Sequence, residues 1–175
     1  MTKYSFQGYD GKVMAKVVGR NLQISAKKSY EVANFIRGKK VDRAVNELQL
    51  VVDQKLAIPY RRYGMNTSHK RGIGPGKYPR NVSVAIAVLL SSLKSVAKEK
   101  GLNEKNLTII HAAAHRSSRI MHNGRNRGVR KNMHFELVAK ELEDKKKTTV
   151  AVKHNDSKVE KKETKSAVST GDKLQ

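Results

Sequence analysis

Residues 107–141, LTIIHAAAHRSSRIMHNGRNRGVRKNMHFELVAKE, decide the fold. The two ends of this stretch are apolar and its middle is cationic. Leu107, Ile109 and Ile110 lead into AAAH, and on the far side Met133, Phe135, Leu137 and Ala139 alternate with His134, Glu136, Val138 and Lys140. A period of two sends successive side chains to opposite faces of a strand. Between the two apolar ends stand Arg116, Arg119, Arg125, Arg127, Arg130 and Lys131, and no acidic residue occurs between Glu104 and Glu136. Gly124 and Gly128 lie near the middle, where a turn is needed. The spacing predicts a long antiparallel hairpin over 106–141 with a cationic end. Arms of about 15 residues, at ~3.4 Å each, would reach roughly 50 Å. A bare two-stranded ribbon is marginal in water, so its outer half is expected to need a partner surface.

Upstream, the period changes. Val13, Ala15 and Val17 alternate with Met14, Lys16 and Val18, which reads as a short strand. Ser25 stands where a helix N-cap would, although Lys28 takes the place of the Glu or Gln of a capping box. Val32, Ala33 and Ile36 share a face, with Phe35 beside them and Gly38 at C′. Val41, Ala44, Val45 and Leu48 fit the template of a second, short helix. A third helix is the best defined: Val82, Ala85, Ile86, Leu89, Leu93, Val96 and Ala97 hold one stripe, with Pro79 in its first turn and Gly101 stopping it. Together these elements predict an α+β domain, three helices packed on a small antiparallel sheet, over residues 1–142. Residues 143–175, rich in Lys, Glu, Ser and Thr and poor in large apolar residues, read as a disordered charged tail.

Between the second and third helices, residues 55–80 (KLAIPYRRYGMNTSHKRGIGPGKYPR) hold all three prolines of the chain, four glycines, seven Lys or Arg and no acid. They read as an irregular, strongly cationic loop. Tyr60, Tyr63 and Tyr78 are interleaved with Arg61, Arg62 and Lys77, a mixture suited to stacking on unpaired bases beside phosphate contacts. Gly72, Gly74 and Gly76 would let the backbone come close to a nucleic-acid backbone.

The 175 residues carry 37 Lys and Arg against 15 Asp and Glu, a formal charge of +22, which works against compaction unless a polyanion neutralises it. The charge is local: 1–142 carry a net +19 and 143–175 only +3. With no Cys there is no disulfide framework, zinc ribbon or thiol chemistry. The opening residues do not read as a signal peptide, and no run of about 18 apolar residues is present to span a membrane. GIGPGK (72–77) has three residues between its outer glycines and Tyr78 after its Lys, so it is not a phosphate-binding P-loop. His111 and His115 fall on the predicted strand, too far apart to share a metal. The carboxylates are scattered, and there is no G-x-S-x-G elbow. No cofactor, metal or small-molecule substrate is expected, and no enzyme. Nucleic acid is the expected partner. Folded RNA suits a long hairpin and a Gly/Tyr/Arg loop, and there is no helix-turn-helix or symmetric dimer pattern for a DNA duplex. An architectural DNA-binding protein is the alternative.

Five blocks in fixed order carry a resemblance over roughly 10–142: AKVVGRNLQISAKKSYEVANFIRGKKVDRAVNEL (15–48), IPYRRYGMNTSHKRGIGPGKYP (58–79), AIAVLLSSLKSVAKEKGLN (85–103), LTIIHAAAH (107–115) and MHFELVAKE (133–141). The chain resembles the "L twenty-two" family of large-subunit ribosomal proteins, most closely its archaeal type. The resemblance implies a cytoplasmic protein of the large ribosomal subunit. It implies binding to large-subunit ribosomal RNA, neighbouring ribosomal proteins, a role early in assembly, and a hairpin tip beside the nascent polypeptide in the exit tunnel. The expected RNA contacts are Lys16, Arg20, Lys27, Lys28, Arg37, Lys39 and Lys40 before the loop. In the loop and at its end they are Arg61, Arg62, Tyr63, His69, Lys70, Arg71, Lys77, Tyr78 and Arg80. On the hairpin they are His115, Arg116, Arg119, Arg125, Arg127, Arg130 and Lys131. Met121, His122, Asn123, Gly124 and Arg125 would form the tunnel-lining tip. The tip is a few residues shorter than in archaeal relatives and lacks their Pro-rich return segment.

Overall fold

The structure is a computed structural model and describes residues 4–142, apart from 119 and 126. Arg119 and the charged segment 143–175 therefore lie outside the described residues. Along the chain run β1 (Met14–Leu22), α1 (Ala26–Ile36), α2 (Val41–Val52), β2 (Ile58–Pro59), β3 (His69–Lys70), β4 (Gly74–Lys77), α3 (Arg80–Glu99), a 3₁₀ turn (Glu104–Asn106), β5 (Leu107–Arg116), β6 (Ile120–Met121), β7 (Val129–Arg130) and β8 (Met133–Glu141). Three helices and antiparallel sheets make the α+β domain expected from the periodicities.

The main sheet has the order β1-β8-β5, both pairings antiparallel. The base of the hairpin is thus no bare ribbon, because β8 is the central strand and β1 covers its second edge. Met133, Phe135, Leu137 and Ala139 face the helices and are fully buried. Burying each of the three large side chains contributes about 1.5–3 kcal/mol, and Ala139 less. The opposite strand changes parity part-way. The register shifts between Ile109 and His111, so Leu107 and Ile109 point inward before the irregularity and Ala112 and Ala114 after it. His111 and His115 are thereby sent to the other face of the sheet, against Glu136.

That other face is also covered, which the alternation in β8 did not foretell. Glu136 (7% exposed) and Val138 are buried. The opening segment lies over them: Ser5 donates to Glu136 Oε2 from its N–H at 3.0 Å and from its hydroxyl at 2.6 Å. The Phe6 ring stands 5.4 Å from that of His111.

α1 packs on β5, α3 on β1, and α2 on α3. Gly38, at φ +79°, ends α1 as expected, and its N–H donates to Ile109 O at 2.8 Å, fixing the helix end to the sheet. α3 ends on Gly101 (φ +73°), with Leu102 N–H returning to Ala97 O at 3.0 Å. Its buried stripe is Val82, Ile86, Leu90, Leu93 and Ala97, so Leu90 rather than Leu89 faces the centre. Leu89 instead packs over Gly19 of β1, where a Cβ would lie 2.7 Å from Leu89 Cδ1. By length and composition alone α3 is apolar enough to cross a membrane. Here that apolar character is the stripe that closes the core.

Residues 55–80 are not irregular throughout. They fold into a second small sheet, order β2-β4-β3, pairing Ile58 with Lys77 and His69 with Pro75. Turn-forming glycines and prolines masked strands too short to show a period.

Candidate nucleic-acid interface

The loop is anchored by a residue that sequence reasoning passed over. Glu31, on α1 and only 2% exposed, accepts from three consecutive backbone N–H groups: Arg61 at 3.1 Å, Arg62 at 3.0 Å and Tyr63 at 2.7 Å. A carboxylate accepting several backbone N–H bonds fixes a loop strongly. The only signal in the sequence is an acid directly before the apolar pair Val32–Ala33 of a helix otherwise rich in Lys.

With the backbone held, the Arg61 and Arg62 side chains are exposed. The Arg62 guanidinium lies 5.1 Å from the Tyr30 ring centroid and 5.5 Å from that of Tyr63, and donates to the Tyr30 hydroxyl at 3.2 Å. His69, Arg71, Lys77 and Arg80 are exposed, while Lys70 is half-buried over the half-buried Tyr78 ring at 5.5 Å. Two expectations fail here. Tyr60 is buried (4% exposed), and burial, with the Glu31 charge adding, pushes its hydroxyl up to about 12, so it is a core residue and not a stacking surface. Gly76 is buried too, with Lys70 Cγ 3.1 Å from where a Cβ would stand, so its small size serves packing. Gly72 and Gly74 take left-handed backbone, at φ +75° and +81°, with open space where a Cβ would stand.

On the hairpin, β5 and β8 pair from Leu107↔Glu141 to Arg116↔Met133, and the ladder resumes at Ile120↔Arg130 and Met121↔Val129. Arg116, Arg125, Arg127, Arg130 and Lys131 are exposed. Met121, His122, Asn123, Gly124 and Arg125 form the exposed tip, closed by His122 N–H to Gly128 O at 3.0 Å, with Gly124 at φ +74°.

The remaining candidates divide. Lys27, Lys28, Arg20 and Lys40 are exposed, Lys40 reaching Asn106 Oδ1 at 3.5 Å. Arg37 is exposed, yet its Nη2 donates to Ala112 O at 2.8 Å. Lys39 is engaged inside the protein, paired with Glu47 and set over the Phe35 ring at 3.3 Å. Lys16 sits between the Tyr4 and Tyr9 rings, at 4.9 and 4.1 Å. The fold brings Lys27, Arg116, Arg130 and Lys131 around one cleft with Tyr30 and Tyr63. Loop and hairpin, remote in sequence, thus share a surface.

His115 directs its Nε2 at Glu136 while its side chain stays 43% exposed: it and His111 flank Glu136, each 3.6 Å from Oε2. Burial pushes His111 below its ordinary 6.5, although Glu136 pulls the other way. Burial raises the Glu136 carboxyl, but the Ser5 bonds and the two histidines outweigh it and hold it below 4.5. An unfolded His111 takes its proton at higher pH than the folded one, so acidification below about 6.5 favours unfolding. The stabilisation from Glu136 is complete above its unfolded value and is lost at lower pH still, as pH falls through the folded one. The urea midpoint is therefore expected to drop between pH 7 and pH 5, and to drop less in His111→Gln. A midpoint equal at both pH values contradicts this.

The sequence matches the family described as Ribosomal protein L22p/L17e over residues 17–140. The chain belongs to the L22p/L17e family. Among its relatives is the large ribosomal subunit protein uL22 of Cenarchaeum symbiosum, 36% identical over 79% of this chain and 96% of the relative. The uL22 protein of Staphylothermus marinus is 34% identical over 80% of this chain and 97% of its own length. That of Methanoregula boonei is 41% identical over 61% and 72% respectively. The L22p/L17e match runs from within β1 to within β8 and so includes α1, the cationic loop and the hairpin up to Lys140.

Proposed function

We propose that this chain is a structural constituent of the large ribosomal subunit in the cytoplasm, of archaeal type, that binds large-subunit rRNA and has no catalytic activity. The observation that carries the RNA surface is the acid-free cleft where Tyr63, of the loop anchored by Glu31, meets Lys27 of α1 and the hairpin cations Arg116, Arg130 and Lys131. Exposed Arg forks pair with phosphates in two bonds and Lys supplies point charge, so binding proceeds by neutralisation and shape recognition. Among the expected contacts, Lys39, Lys16 and His115 act first within the protein, and the exposed cations of 61–80 and 116–131 carry the RNA. The family resemblance, rather than the geometry, extends this reading to contacts with several rRNA segments and neighbouring proteins, and to a role early in subunit assembly.

Competition between structured RNA and duplex DNA tests this reading. Structured RNA is expected to displace duplex DNA readily, and preference for the duplex would favour an architectural DNA-binding protein instead. The tip, Met121 to Arg125, would stand beside the nascent polypeptide. Deletion of 118–128 is expected to alter elongation pausing in ribosome profiles, and unaltered pausing removes the tip from that role.

A further inference from the structure

The cleft between the start of α1 and the shoulder of the hairpin has a volume of about 570 Å³, within the range of sites that enclose a small ligand. Its walls are of two kinds. Tyr30 and Tyr63 supply ring surface, set edge to face with centroids 5.4 Å apart. Lys27, Arg116, Arg130 and Lys131 supply positive charge, and among the described residues no acid lines the space. Arg62, which is not part of the lining, backs both rings.

The shoulder is fixed in place. The ladder lapses between Arg116 and Ile120, and there Asn132, 8% exposed, bridges the arms. Its Nδ2 donates to Ser117 Oγ at 3.1 Å, to Ser118 O at 3.4 Å, and to Asn21 Oδ1 of β1 at 3.3 Å. The cations on either side are thus presented from an ordered frame. Ser25, the N-cap of α1, makes no side-chain capping bond, and this leaves first-turn N–H groups to add to the positive field.

Rings and cations together, without acids, suit a nucleotide: a base offers a π-face and its phosphate a charge. An acidic peptide would satisfy the cations and leave the rings unused. A duplex keeps its base faces stacked inside. We infer that this cleft takes a single unpaired nucleotide of RNA, its base against the Tyr30–Tyr63 pair and its phosphate on Arg116, Arg130 and Lys131. The inference rests on the RNA-binding reading and adds the form of RNA and the place.

The test uses the full chain with four probes: short oligoadenylate, short oligouridylate, an RNA duplex and AMP. Tyr63→Leu is expected to weaken both oligonucleotides about tenfold, as loss of one stacked base does, and to leave duplex binding unchanged. Tyr63→Phe keeps the ring and is expected to bind as the native chain does. It also guards against a folding defect, as does an unchanged thermal melt of Tyr63→Leu. Arg130→Ala with Lys131→Ala is expected to weaken oligonucleotides and duplex alike. A native chain that binds RNA, with Tyr63→Leu affecting neither probe or both equally, overturns the cleft assignment and leaves RNA binding standing. AMP binding as tight as the oligonucleotides overturns RNA as the occupant. A native chain that binds no RNA overturns the function itself.

Discussion

Replacing Arg116, Arg119, Arg125, Arg127, Arg130 and Lys131 together by Gln is expected to weaken rRNA binding on the order of a thousandfold at about 0.1 M salt. Each cation on a phosphate releases about 0.7–0.9 of a counterion, so six contacts contribute about five to the slope of log K against log salt. The slope is therefore the sharper readout, since it counts contacts where affinity alone does not. The fold should survive: the five described members of the set are exposed, and of these Arg130 reaches another side chain, Gln23 Oε1 at 3.4 Å. Titration at several salt concentrations checks the expectation, and an unchanged slope would place the RNA surface elsewhere.

Glu31→Ala is expected to cost about 3 kcal/mol of stability and to weaken RNA binding as well. The variant strands the Arg61, Arg62 and Tyr63 N–H groups in partly buried positions, where each loses a charged acceptor. Glu31→Gln should fall between. Its carbonyl can stand in for Oε1, which serves Arg62 and Tyr63, but its NH₂ would face the Arg61 N–H. Urea denaturation gives the stability term. Loss of RNA affinity under conditions where the variant remains folded shows that the carboxylate positions the loop. Equal stability in the native chain and Glu31→Ala would show that the loop needs no such anchor.

The fold was largely legible because its elements carry long, clean periods. The stripe of α3 follows from one face being buried, the Ser25 and Gly38 boundaries of α1 from helix-end chemistry, and the alternation in β8 from its Met133–Ala139 face packing on the helices. What escaped notice lacks such a period. The β2-β4-β3 sheet is made of strands two to four residues long among glycines and prolines. The irregularity after Ile109, which turns His111 and His115 toward Glu136, has no local sequence mark. The cover that residues 4–9 lay over β8 depends on contacts more than a hundred positions apart.

The site divides along the same line. Charge runs announce exposed cations, and so Arg61, Arg71, Arg116 and Arg130 stand where the sequence put them. Charge cannot reveal an internal partner such as those of Lys39, which is held by Glu47 and Phe35. Glu31 and Asn132 were invisible because each acts by satisfying backbone or side-chain groups far away in the chain.

Sedimentation of a cell lysate through a sucrose gradient at low salt, probed for this chain, is the most direct test of its place in the large subunit. The chain is expected in the large-subunit and whole-ribosome fractions, leaving them only as salt is raised. A chain found at the top of the gradient at low salt, with intact ribosomes below it, contradicts that assignment.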